Sequence, residues 1–139
     1  MIAANHAENI IFTTDVPVRW GDMDAYNHVN NVSYFRYLEE SRVRWMYQYQ
    51  LSDAEAELWP VLVKSGATFL KSVLYPATLR ITTALHEVGA RSVSLQHRIL
   101  DADDVSICYA EGYAKLVWID MKTGKSIALP QRVRDALRQ

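Results

Sequence analysis

The stretch from Trp20 to Asn31 gathers two carboxylates (Asp22, Asp24), one imidazole (His28) and three asparagines (Asn27, Asn30, Asn31) within twelve positions. An apolar, aromatic-rich run from Val32 to Tyr49 follows directly. A polar loop of acids and a histidine that runs into a helix offers a base beside a helix N-terminus, where partial positive charge collects. Attack on a carbonyl needs both, because it requires an activated water and a place for the oxyanion. Each residue also has a structural reading. Asp and Asn close turns and cap helices through side-chain bonds to backbone N–H groups, and a lone loop histidine can serve as a hydrogen-bonded structural group.

The elements that must position this loop are legible on either side of it. Residues 1–9 read as a lead-in. Residues 10–19 alternate loosely, with Ile10, Phe12, Val16 and Val18 on one side and Thr13, Asp15 and Arg19 on the other, which predicts a strand. From Asn31 to about Tyr49 there is no Gly or Pro. Val32, Phe35, Leu38, Arg42, Trp45 and Tyr49 fall at helical spacing, with Tyr34, Tyr37 and Met46 widening the apolar surface, so a long helix is expected. Asn30 or Asn31 is its natural N-cap.

Four strand-like runs follow, roughly Val61–Val73, Thr78–Val88, Ser92–Leu100 and Val105–Ile119. Tyr75-Pro76, Gly89 and the Asp101–Asp104 cluster separate them. One face of the last run is small throughout (Ser106, Cys108, Ala110, Gly112, Ala114), which lets something bulky lie close to the sheet. The aromatic helix is the one candidate of the right size. The other face carries Val105, Ile107, Tyr109, Tyr113, Val117 and Ile119. Lys122–Lys125 reads as a polar turn and Pro130–Arg138 as a short closing helix. Short links favour antiparallel pairing. The fold class is therefore α+β: an antiparallel sheet of about five strands wrapped around one long central helix, in a single domain over residues 1–139.

Half of the 139 residues are hydrophobic and the formal net charge is −1, and nothing in this balance points to a general nucleic-acid or anionic-membrane binder. The single cysteine, Cys108, rules out an internal disulfide and suits the cytoplasm. Neither a signal peptide nor an apolar run of membrane-spanning length is visible.

With the residues in view, the segment Val18-Arg19-Trp20 … Asp22-Met23-Asp24 … His28-Val29-Asn30-Asn31 … Tyr34 … Tyr37-Leu38-Glu39-Glu40-Ser41-Arg42 resembles the signature of the 4-hydroxybenzoyl-CoA thioesterase family of hotdog folds. It is most similar to the acyl-CoA and acyl-carrier-protein thioesterase branches that carry His-Val-Asn-Asn. The signature covers about 25 residues; the downstream strands match in layout. The resemblance implies hydrolysis of an acyl-CoA thioester without metal or other cofactor. It places the catalytic carboxylate at Asp24, the oxyanion-binding backbone N–H near Asn31, and an assisting histidine at His28. Plant-type carrier-protein enzymes have Asn where this chain has Tyr26, so their mechanism does not carry over whole; Tyr26 and Asn30 are instead substrate-binding candidates. The resemblance also implies a homodimer or homotetramer. The apolar Val105, Ile107 and Tyr109 on one side of the last run point the same way, because one helix covers only one face of a sheet.

Outside the motif, Arg91 and Ser92 follow Gly89 at a strand start. They read either as an exposed turn or as contacts to the CoA phosphates, for which Arg is suited. Lys64, Lys71 and Arg80 are further cationic candidates. Asp22 reads as a loop-stabilising acid, Glu39 or Glu40 as a structural partner of Arg42, and Cys108 as packing. His6, His86 and His97 have no acidic or cysteine partners at ligand spacing, and Asp22, Asp24 and His28 do not complete a metal or EF-hand set. The D-x-D could also suggest an aspartyl-phosphate phosphatase, but no buried parallel strand precedes it. Two other classes stay open: a non-catalytic acyl-CoA-binding module, and a carrier-protein thioesterase. A hotdog hydratase is disfavoured, because its motif is absent.

Overall fold

The computed structural model describes residues 9–138, so the lead-in before Asn9, with His6, lies outside the described residues. The elements run β1 (Ile10–Pro17), a single 3₁₀ turn (Trp20–Asp22), α1 (Asn31–Tyr49), β2 (Leu58–Phe69), β3 (Thr78–Val88), β4 (Ser92–Asp101), β5 (Cys108–Asp120), β6 (Lys125–Ser126) and α2 (Gln131–Ala136). The sheet has the order β1-β3-β4-β5-β2, with β6 on β5, and every pairing is antiparallel. β2 does not pair with β3, its successor in sequence. It crosses the molecule and pairs with β5, so β1 and β2 are the two long edges.

Helix α1 spans the predicted residues because nothing interrupts it and both ends are capped. The Asn30 side chain accepts the Val32 N–H, and Gln50 in the left-handed conformation closes the other end. Its inward stripe is Tyr34, Tyr37, Leu38, Ser41, Arg42 and Trp45. This stripe is rotated from the expected one in the first turns: Val32 is 65% exposed and Phe35 is also exposed. Across from the stripe lie the small residues of β5. Ala110 and Ala114 are fully buried, and a Cβ on Gly112 would come within 2.6 Å of Leu38 Cδ1. The small-residue face thus receives the helix as its composition predicts.

The core has two apolar clusters. One includes Leu38, Ile81, Ile99 and Ala110, the other Trp45, Leu95, Leu116 and Trp118. Between them runs a polar layer. Ser41 Oγ meets Thr83 Oγ1 at 3.3 Å, and Thr83 Oγ1 meets His97 Nδ1 at 3.0 Å, all three residues being fully buried. His97 is therefore a packed core residue, whereas His86 lies exposed with its Nδ1 against Gln96 Nε2.

Several boundaries and faces differ from expectation. In β1 the pairing slips between Ile10 and Phe12, so Ile11 rather than Ile10 is buried; beyond the slip Phe12 packs on the core and Val16 and Val18 are buried, as the alternation predicts. β2 begins at Leu58, where Asp53 and Leu58 exchange backbone bonds. It ends at Phe69, because the N–H groups of Leu70 and Lys71 both turn to the Tyr109 carbonyl. Residues 105–107 are not strand. Asp101 accepts the N–H groups of Asp103 and Asp104, Asp104 accepts that of Ser106, and the chain is wound until Cys108. Tyr109 does not face outward but is buried, with its hydroxyl on Asp101 Oδ2 at 2.7 Å, and Ile107 packs against the same cluster. Burial, then the Asp101 carboxylate, pushes the Tyr109 hydroxyl up to about 12. Of Val105, Ile107 and Tyr109, Val105 alone stands exposed, and further exposed apolar residues include Trp59, Leu62 and Val63 on β2 and Val43 and Tyr47 on α1.

Candidate active site

The Asp24–His28 loop is a tight closure on a two-residue bridge. Met23 and Val29 pair antiparallel, the Asp24 N–H donates to the His28 carbonyl at 2.9 Å, and the Asn27 N–H donates to the Asp24 carbonyl at 3.0 Å. Asn27 takes φ 62°, a conformation that Asn tolerates better than most side chains. Asp24 Oδ1 accepts the Tyr26 N–H at 2.9 Å, and among the described residues no protein donor reaches its other oxygen. The loop therefore presents a half-buried carboxylate and, on the same side, the His28 imidazole.

Asp22 plays the structural part expected of it. Its Oδ2 accepts the Arg19 N–H at 2.9 Å and the Tyr37 hydroxyl at 2.7 Å, while its backbone carbonyl accepts the Asn30 N–H. Burial, and then the hydrogen bond to Asp22, hold the Tyr37 hydroxyl well above its ordinary range, so it remains a donor. At the start of α1, Asn30 satisfies two N–H groups, Val32 through its side chain and Ser33 through its carbonyl. The Asn31 N–H has no acceptor among the described residues, as the first N–H groups of a helix have none within the helix.

These groups open onto one cleft of about 560 Å³, lined by Asp24, Tyr26, His28, Asn30 and Asn31 together with Val29, Tyr34 and the segment Phe69–Ser72. Five of the seven candidate residues thus converge. Arg91 and Ser92 do not. Ser92 is in register with Val117, whereas the cleft lies near Ile99, Ala110 and Phe69. Seven residues of β4 separate these levels, roughly 23 Å at about 3.3 Å per residue. Arg91 donates from Nη1 to the carbonyl and hydroxyl of Ser126. Arg80 is paired with Asp15 at 2.9 Å, and Lys64 Nζ lies 5.5 Å from the Tyr113 ring centre. Of the cationic candidates, only Lys71 stands at the cleft. The far wall, Phe69 to Ser72, was not assigned to the site from sequence beyond Lys71. It carries no motif, and the strand-like run from Val61 to Val73 passes through it without a break.

The fold is a hotdog fold, a curved antiparallel sheet around one long helix. Residues 18–137 match the thioesterase-like superfamily, and the chain belongs to that family. It is 27% identical over 135 residues to the long-chain acyl-CoA thioesterase FadM of Escherichia coli (strain K12), covering 91% of this chain and 96% of FadM. Among solved structures, the PA2801 protein of Pseudomonas aeruginosa is 41% identical with a TM-score of 0.86, covering 92% of this chain and 98% of that one. The XC229 protein of Xanthomonas campestris is 35% identical with a TM-score of 0.74, covering 81% and 95% respectively.

Proposed function

We propose that the protein hydrolyses an acyl-CoA thioester to the free acid and CoA. The observation that carries the reading is the opening of the Asp24 carboxylate and the unbonded Asn31 N–H onto one cleft. Asp24 takes a proton from water as the water oxygen attacks the thioester carbon. The carbonyl oxygen gathers negative charge and is met by the Asn31 N–H and the positive end of α1. The carbon–sulfur bond then breaks, and the CoA thiolate leaves and is protonated. Asp24 attacking directly, through a transient anhydride, uses the same geometry. His28 orients the water, and Tyr26 and Asn30 contact the acyl-thioester. None of these steps calls on a cofactor.

Long-chain acyl-CoA is the substrate to try first, on the likeness to FadM. Lys71 is the cation at the cleft for the charged end of CoA; Arg91 and Ser92, roughly 23 Å away along β4, serve that end from a second copy in this reading. A homodimer or homotetramer suits this. β2 is an edge strand with unpaired backbone groups; Leu62 and Val63 on it stand exposed, and exposed Trp59 lines one surface with Val43 and Tyr47 of α1. We place the protein in the cytoplasm, where thiols such as Cys108 stay reduced; no helix among the described residues is long and apolar enough to cross a membrane. The deciding experiment follows thiol release by purified protein over a panel of acyl-CoAs, with light scattering on the same sample. No release above the uncatalysed rate for any acyl-CoA refutes the hydrolase, and a stable monomer at micromolar concentration refutes the oligomer.

A further inference from the structure

Tyr34 and Tyr37 lie one helical turn apart on the inward stripe of α1 and are 3% and 5% exposed. A phenylalanine at either position would pack equally well, so burial alone does not account for the hydroxyls. The Tyr37 hydroxyl donates to Asp22 Oδ2, the oxygen that also accepts the Arg19 N–H, and the Asp22 carbonyl receives the Asn30 N–H. The Tyr34 hydroxyl reaches the opposite wall. It accepts the Val73 N–H at 3.1 Å and donates to the Lys71 carbonyl at 3.3 Å, while the Val73 carbonyl accepts the Val29 N–H at 3.0 Å. The Tyr34 ring also meets Phe69 edge-on, with centres 5.0 Å apart. We infer that Tyr34 and Tyr37 are positioning residues, each hydroxyl fixing one wall of the cleft against the N-terminal end of α1. Tyr37 sets the Asp24 loop relative to the Asn31 N–H. Tyr34 sets the Lys71–Val73 wall that faces them.

The inference rests on the hydrolase reading and divides the two roles kinetically. A displaced base or oxyanion donor is felt in the transition state, so Tyr37→Phe lowers kcat by about 10-fold or more with KM within about two-fold, in line with the cost of small misplacements. A displaced far wall weakens ground state and transition state alike, so Tyr34→Phe raises KM by about five-fold or more and leaves kcat within about three-fold. Melting temperature and binding of a non-hydrolysable acyl-CoA thioether accompany the kinetics. Tyr34→Phe should bind the thioether more weakly than wild type, and Tyr37→Phe should bind it as wild type does. Wild-type kinetics in both variants, or an equal loss of activity in both that follows only the folded fraction, overturns the inference. If the wild-type protein releases no thiol while binding the thioether, the hydrolase reading fails, and the thioether arm alone then decides whether Tyr34 sets the wall.

Discussion

Replacing Asp24 by Asn is the sharpest single perturbation of the site. The Asn side-chain oxygen can keep the bond that Asp24 Oδ1 accepts from the Tyr26 N–H, so the tight loop and the antiparallel Met23–Val29 bridge should persist. What the substitution removes is the other oxygen, which no protein donor among the described residues engages and which is open to take a proton. Losing a general base costs about 10²- to 10⁴-fold in rate. The lower end corresponds to about 2.7 kcal/mol of transition-state stabilisation, at about 1.36 kcal/mol per factor of ten. We therefore expect Asp24→Asn to lower kcat at least about 100-fold, with a melting temperature close to wild type because the loop bonds survive. Asp24→Ala should lose the same rate and also some stability, about 1 kcal/mol for the Tyr26 N–H bond. The assay is thiol release on the best acyl-CoA, with urea unfolding in parallel. Turnover of Asp24→Asn near wild type would refute the assignment and make Asp22, now held by Arg19 and Tyr37, the next carboxylate to test.

Gly112→Ala should destabilise the fold by about 1–3 kcal/mol, the usual cost of overpacking, because the new methyl would press on buried Leu38; urea unfolding reads this, and an unchanged midpoint contradicts the packing. Arg91→Ala should raise KM for acyl-CoA with little change in kcat, at a cost of at most about 1.5–3 kcal/mol for one charged contact. If it weakens acyl-CoA and an acyl-pantetheine equally, Arg91 does not read the nucleotide, and Lys71 becomes the contact to test. Acid should lower stability through Asp15, whose carboxyl is held below its ordinary value mainly by the hydrogen bond from Arg80. A depressed folded-state value stabilises the fold above the unfolded carboxylate value, near 3.9, and the gain is lost as pH falls through the folded one. Asp15→Asn should therefore flatten the fall of melting temperature below about pH 4, and an unchanged slope argues against the pair.

How much of this was legible in the sequence depends on whether the determinants were local. The bounds of α1 were legible because an uninterrupted run and an Asn cap are properties of neighbouring residues. β3 was legible for the same reason, as was the small face of β5. The pairing of β2 with β5 was not, because it depends on how the sheet closes around the helix. The first residue of β1 and the start of β5 departed from expectation through local irregularities, a slip after Ile10 and Asp101 winding the chain that precedes Cys108, while Val16 and Val18 are buried as the alternation predicts. Within the site, the motif residues Asp24 to Asn31 came together as read, since one loop carries them. The Phe69–Ser72 wall is brought in by long-range bonds, from Leu70 and Lys71 to Tyr109 and from Tyr34 to Lys71, which leave no local pattern.

The way α1 is buried bears directly on the chemistry of its first turn. Beyond Tyr34 and Tyr37 its anchoring continues away from the cleft, where Leu38 lies on Gly112, Ser41 joins the polar layer with Thr83 and His97, and Trp45 fills the second cluster. That layer must match donors to acceptors between helix and sheet, so sliding α1 by a turn would leave buried polar groups unpaired and is strongly disfavoured. The helix is thereby fixed along its axis by residues that take no part in the cleft, while Asn30, Asn31 and Val32 at its tip stay exposed. A rigid helix whose end projects into a cleft holds its N–H groups in place before substrate arrives, so no reorganisation is needed as charge develops on the carbonyl oxygen. On this reasoning the polar layer in the core and the oxyanion donor at the tip are parts of one arrangement, joined by the stiffness of α1.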